Sequence, residues 1–165
     1  MKRNALSLIT LAAVFGVAGA AHAQDAEAIA RGEAAFSQCQ SCHVVRDDAG
    51  TVLAGRNGRT GPNLFGVVGR VAGSYPDFRY GDGMVRAGEM GLVWDEASLI
   101  AYLQDPTDFL RSYTGNARAR GNMSFRVRGA DQASDLYAFL ATFSPAAETP
   151  AEEAAAEEAP APASN

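Results

Sequence analysis

Cysteine, histidine and lysine are scarce in this 165-residue chain. It contains two cysteines, Cys39 and Cys42, two histidines, His22 and His43, and a single lysine, Lys2. A structural zinc site normally takes four Cys or His ligands. The chain cannot supply them, because His22 lies in a segment that reads as removed. A disulfide between Cys39 and Cys42 would close too small a loop to add much stability. A redox dithiol of the thioredoxin kind needs a βαβ setting, and no stretch here alternates convincingly as a strand. After the first 23 residues no apolar run is long enough to cross a bilayer. No general base, nucleophile pair or second metal cluster is evident, so the chain does not read as an enzyme. A net charge of −5 gives no reason to invoke nucleic acid.

What the chain does have is Cys39-Gln40-Ser41-Cys42-His43. Two thiols three positions apart, followed directly by a histidine, form the attachment pattern of a c-type haem. Each thiol can add across one porphyrin vinyl group, and the adjacent imidazole is then held beneath the iron. The spacing suits one helical turn, and two thioether bonds prevent loss of the cofactor by dissociation. One covalent haem c is therefore expected.

The two ends of the chain differ from its middle. Lys2 and Arg3 precede an apolar run from Ala5 to Ala21 that ends in Ala21-His22-Ala23. A basic start, a short apolar core and an Ala-x-Ala exit read as a secretory signal over residues 1–23. Export fits a cofactor whose attachment needs apocytochrome thiols handled outside the cytoplasm. Residues 145–165 are Ala, Glu and Pro with little else, and carry Glu148, Glu152, Glu153, Glu157 and Glu158. Such a composition offsets too little ordering entropy and is expected to be disordered. Residues 24–144 remain, about 120 in all, a common size for one domain.

The body reads as all-α, a few helices and long loops around one haem. Asp25 is a plausible cap for a helix ending at Phe36, with Ile29, Gly32 and Phe36 on one face. Gly32 on that face suggests close approach of another helix, since glycine costs about 1 kcal/mol against alanine there. Residues Asp47 to Gly61 read as loop. A carbonyl near Pro62 is a candidate to hold the second nitrogen of an axial imidazole. A short helix is expected over Met84 to Ala87, ended by Gly88. Asp95 caps another over Glu96 to Gln104, and Asp105-Pro106 starts one through Phe109 and Leu110. Ser112 to Asn122 reads as loop, and Asp131 to Phe143 as an amphipathic helix.

The sixth iron ligand follows by elimination. Once the signal is gone, His43 is the sole histidine, no lysine remains and both cysteines are consumed. Met84, Met90 and Met123 remain available, and Met123 is favoured because it sits in a loop far along the chain. The competing reading is that all three methionines pack the core and the iron is open. A thioether favours ferrous iron and raises the potential. Arg111, Arg118, Arg120, Arg126 and Arg128 form a run with no acidic residue between them, which could steer an acidic partner.

The helix with Gly32 and Phe36, the haem motif, Gly61-Pro62-Asn63-Leu64, Trp94, Asn122-Met123-Ser124-Phe125 and Asp135-Leu136-Tyr137-Ala138-Phe139-Leu140 occur in that order. Together they resemble a class I cytochrome c of the longer bacterial cytochrome c2 type, over nearly the whole body. The resemblance implies His43 and Met123 as axial ligands and the Pro62 carbonyl as acceptor for His43. It places Tyr80 and Trp94 near a haem propionate, Arg70 close by, and Tyr102 near the methionine sulfur. It also implies that Gly32 and Phe36 pack against the last helix. Two features differ from the family: Gly121-Asn122 stands where a lysine or threonine is usual, and arginines replace the usual lysines around the haem edge.

The resulting expectation is a monomeric periplasmic one-electron carrier without a membrane span. It would take electrons from a quinol–cytochrome c reductase and deliver them to a terminal oxidase or a photosynthetic reaction centre. A dedicated acceptor for one periplasmic dehydrogenase is the nearest alternative. A gas sensor or peroxidase with an open haem site is the alternative from another class.

Overall fold

The computed structural model describes residues 18–144, and the side chains from residue 25 onward. The basic start of the predicted signal and the whole Ala/Glu/Pro segment lie outside the described residues. Five helices and one small sheet follow in order: α1 (Ala18–Phe36), β1 (Val44–Arg46), β2 (Val52–Gly55), α2 (Asp82–Glu89), α3 (Glu96–Gln104), α4 (Pro106–Thr114) and α5 (Ala130–Ala141).

The first and last helices cross at a glycine. A Cβ on Gly32 would collide with the Asp135 carbonyl and with Cβ of Phe139. Only a residue without a side chain lets α1 and α5 approach this closely. Below the crossing the rings of Phe36 and Phe139 lie 5.4 Å apart, and Phe143 meets Phe139 edge-on at 5.0 Å. Above it, the guanidinium of Arg31 donates to both oxygens of Asp135 at 2.8 Å. Leu136, Phe139 and Leu140 of α5 are buried together with Leu99, Tyr102 and Leu103 of α3.

Capping chemistry sets the middle helices where the sequence suggested. Asp95 accepts from the Ser98 N–H at 2.8 Å and the Ser98 hydroxyl reaches back, a reciprocal box that starts α3. Asp105 accepts from the Asp108 N–H at 3.1 Å, and Pro106 occupies the first turn of α4.

The boundaries differ in four places. α1 begins at Ala18, so Asp25 lies within it rather than capping it. Apart from Gly19 the Ala-rich run before Asp25 favours helix, and a cap residue does not stop a helix that can continue. α2 extends from Asp82 to Glu89, through Gly83 and past the expected stop at Gly88. Both glycines are required by neighbours: a Cβ on Gly83 would strike the Arg120 backbone, and one on Gly88 the Ala72 carbonyl. α4 continues to Thr114, ended by Gly115 at φ 62°, so the loop that follows is shorter than expected. α5 spans Ala130–Ala141 rather than Asp131 to Phe143.

Two short strands depart from the sequence expectation, and β2 lies inside Asp47 to Gly61, which reads as loop. β1 and β2 pair antiparallel, with an irregular register between Val45 and Arg46. Each is three or four residues long, too short to show alternation, and Val44 and Val45 are both buried. A single bridge also joins Val71 and Val93.

Candidate functional site

The Cys-x-x-Cys-His segment is a tight turn on the end of α1. Cys39 N–H donates to the Phe36 carbonyl at 2.8 Å, and the Cys39 carbonyl accepts from Cys42 at 3.1 Å and from His43 at 2.9 Å. The turn puts the Cys42 thiol and the His43 ring at the edge of one apolar cleft, whereas Cys39 packs against the core beside it. Burial, with a smaller effect from Cys42, pushes the Cys39 thiol up to about 11. Hydrogen bonds from Thr60 and then Ser41 lower the pKa of the exposed Cys42 thiol.

His43 is held from two sides. Its Nδ1–H donates to the Pro62 carbonyl at 2.9 Å, which leaves Nε2 as the available lone pair. Burial lowers the imidazole pKa, and the Pro62 carbonyl partly opposes this, so the ring stays neutral and able to ligate. Gly61 lies flat against the ring, and a Cβ there would run into Cε1. The Gly61 N–H donates to the Cys42 carbonyl and the Leu64 N–H to the Val44 carbonyl, both at 2.9 Å, so the Pro62 turn is laced to the haem motif.

Asn63, directly after Pro62, has a structural role that its motif alone does not specify. Its Oδ1 accepts from the Arg46 N–H at 2.9 Å and from Phe65 at 3.1 Å, and its Nδ2 donates to the Arg46 carbonyl at 2.7 Å. It thereby pins β1 to the Pro62 turn. The signal that could have found it is its place directly after Pro62, where an amide can satisfy a turn on both sides.

The other predicted residues gather on the same cleft: Pro62, Arg70, Tyr80, Trp94, Tyr102 and Met123 all line it. Arg70 donates to the carbonyls of Phe65 at 3.0 Å and Asn63 at 3.1 Å and sits 5.1 Å above the Tyr75 ring. Burial lowers its pKa, with Tyr80 and Tyr75 opposing, yet a guanidinium stays charged in any such setting. The Trp94 and Tyr102 rings meet at a tilt of 52° with centroids 4.9 Å apart, and burial raises the Tyr102 phenol well above its usual range. Asn122, Met123, Ser124 and Phe125 line the cleft in succession. Of the competing methionines, Met90 is exposed and away from the cleft, while Met84 lines it from a buried position in α2.

This arrangement fits a haem. The walls contributed by Leu64, Val67, Leu99, Leu103 and Leu140 are apolar, as a porphyrin face requires. The polar atoms sit where the group has chemistry: a thiol, an imidazole with one nitrogen already committed, a thioether and a guanidinium. Among the described residues no three His, Cys, Asp or Glu side chains gather as a metal site, and no helix is long and apolar enough to cross a membrane.

The arginine run is less uniform than the sequence suggested. Arg126 pairs with Asp105 at 3.0 Å, so part of its charge is already balanced within the chain.

No family profile matches the chain. The chain is 49% identical to the cytochrome c2 of Cereibacter sphaeroides over 141 residues, 85% of this chain and 95% of that protein. It is 42% identical to the cytochrome c-550 of Paracoccus versutus over 142 residues, covering 85% and 90%. The crystal structure of cytochrome c2 from Rhodobacter sphaeroides superposes with a TM-score of 0.68 at 52% identity, over 70% of this chain and 94% of that one. Ferric cytochrome c-550 from Paracoccus versutus gives 0.67 at 44% identity, over 71% and 98%.

Proposed function

This chain belongs to the bacterial class I cytochrome c2 family, and on that premise we propose that it is a periplasmic carrier between membrane redox complexes. Members are electron-transfer proteins with one covalent haem c rather than enzymes. In this reading residues 1–23 are an export signal and residues 145–165 an acidic extension of the cytochrome domain. The donor is a quinol-oxidising complex, and the acceptor a terminal oxidase or a photosynthetic reaction centre.

The bound haem supplies a one-electron ferric/ferrous couple. The protein's residues determine what that couple can do. Cys39 and Cys42 would hold the group as thioethers, and His43 Nε2 and the Met123 sulfur would be its donors to the iron. Pro62 keeps the imidazole in one tautomer and one orientation through electron gain and loss, which lowers the reorganisation needed. Arg70, Tyr80 and Trp94 balance and bury the propionate side. With both residues as ligands the iron would offer no place for a substrate, and the site would move electrons without bond chemistry.

The observation that carries this reading is that His43 and Met123, far apart in the chain, line one apolar cleft. Absorption spectra of the exported protein, oxidised and reduced, with and without carbon monoxide, test it. A low-spin covalent haem indifferent to carbon monoxide is expected. A carbon monoxide shift would mean an open iron and would overturn the carrier assignment.

A further inference from the structure

Next to the haem cleft is a second cavity of about 720 Å³, between the start of α2 and the segment from Thr114 to Asn122. Arg79, Arg86, Arg118 and Arg120 line it, and Asp82 is its only carboxylate among the described residues. Arg86 is shared with Glu89 at 3.5 Å. Arg79, Arg118 and Arg120 have no carboxylate within 4.0 Å among the described residues. The walls are built rather than loose. Gly83 N–H donates to the Arg120 carbonyl at 3.0 Å, and Asn122 Nδ2 to the Arg79 carbonyl at 2.9 Å. The guanidiniums thus stand on backbone that is tied together across the cavity.

An unbalanced positive concavity is unexpected in this chain, because residues 24–144 carry 14 carboxylates against 12 arginines. The surplus of negative charge lies further along. After Arg128 there is no basic residue, and Glu148, Glu152, Glu153, Glu157 and Glu158 follow within the last 21 positions. We infer that residues 145–165 dock their glutamates in the arginine cavity of their own chain.

Reach permits it. The segment starts from a fixed point, since the Ser144 hydroxyl accepts from the Val68 N–H at 3.1 Å. At about 3.3–3.6 Å per residue, the stretch to Glu157 can extend roughly 40 Å. That exceeds the width of a body whose radius of gyration is about 13–14 Å. Each exposed Arg–Glu pair contributes little. Several pairs on one tether gain from an effective concentration of about millimolar. Tyr80 and Asn122 line both cavities, so the docked segment would lie against the wall of the haem cleft, one residue from Met123. If acidic partners dock through these arginines, the tail competes with them; this consequence alone rests on the docking role.

The test uses the haem-loaded, reduced, full-length exported protein. Amide and arginine Nε–H resonances are recorded at about 10 mM and about 500 mM NaCl, where the Debye length falls from about 30 Å to about 4 Å. The parent is compared with the five-fold Glu→Gln variant at 148, 152, 153, 157 and 158. Resonances of residues 79–83 and 116–122 should move with salt in the parent, and the variant at low salt should match the parent at high salt. Polyglutamate should bind the variant at low salt at least about tenfold more tightly than the parent. The double variant Arg118→Gln/Arg120→Gln, its tail intact, should lose the salt response. Superimposable low-salt spectra of parent and Glu→Gln variant would overturn the inference. So would a response centred elsewhere, at Arg56 and Arg59 for example, or one that survives in the arginine variant. These readouts report occupancy whether or not partners dock there, so a failed docking role leaves them interpretable.

Discussion

The Nδ1–H of His43 donates to the carbonyl of Pro62 at 2.9 Å, and the glycine before that proline lies flat against the imidazole ring. The Gly61-Pro62 pair thus sets both the tautomer and the position of the proposed iron ligand. Proline suits this role because it has no N–H of its own to satisfy and its fixed φ aims the carbonyl.

Gly61→Ala would drive a methyl group into that ring. Overpacking of this kind costs about 1–3 kcal/mol. We expect a corresponding loss in denaturant stability of the haem-loaded protein, together with an altered visible spectrum. A change in stability with the spectrum intact would show that the ring can move away without leaving the iron.

Met123→Ala should convert the carbon monoxide-indifferent haem-loaded protein into one that binds the gas. Met84→Leu should leave that indifference in place and cost less than about 1.5 kcal/mol as a volume-conserving exchange. The reverse pattern, with Met84 controlling access, would reassign the axial sulfur.

Gly32→Ala places a Cβ against the Asp135 carbonyl, and the two helices must separate to accept it. Backbone yields less than a flexible side chain, so the loss should reach the upper part of the overpacking range, about 3 kcal/mol. Phe36→Ala, which empties the ring contact below the crossing, should cost about 3–5 kcal/mol. Equilibrium unfolding of the haem-loaded variants measures both.

The Arg31–Asp135 pair predicts a pH dependence. Its hydrogen bonds to Arg31 hold the Asp135 carboxyl below its usual range. A depressed folded pKa contributes stability that is present above the unfolded value, about 3.9, and disappears as pH falls through the folded value. Asp135→Asn should therefore melt below the parent at neutral pH, with the gap closing only under strongly acid conditions. Melting temperatures recorded from pH 7 down to pH 2 check this. A gap that does not change with pH would assign the effect to packing rather than charge.

Charge reversal at Arg128 should slow turnover with acidic redox partners most at low salt, where the screening length is long. Arg126, already paired with Asp105 at 3.0 Å, should matter less than its place in the sequence suggests. Steady-state oxidation kinetics over a salt series separate the two. Equal sensitivity at both positions would mean that the Asp105 pair opens on docking.

Local rules were enough for much of the architecture. Asp95 and Asp105 are caps followed by the right partners, so α3 and α4 begin where the side chains say they must. The glycines of α2 misled for the same local reason. Gly88 reads as a stop, yet it stays within the helix because the Ala72 carbonyl occupies the space a side chain would need. The β1–β2 hairpin was illegible because three or four residues cannot display a period, and its pairing partner is not apparent from composition.

By itself the sequence determined the covalent chemistry: two thiols and an imidazole at fixed spacing, one histidine left after the expected cut, and no lysine to compete. Those are properties of residue identity and short-range spacing, which no folding can alter. Tertiary structure alone decided that Asn63 laces β1 to the Pro62 turn, that Arg126 is already paired, and that Arg79, Arg118 and Arg120 meet on one cavity across forty residues of chain. Each depends on which distant backbones touch. That is set by the packing of helices such as α1 and α5 around a shared core, and no local pattern in the chain records it.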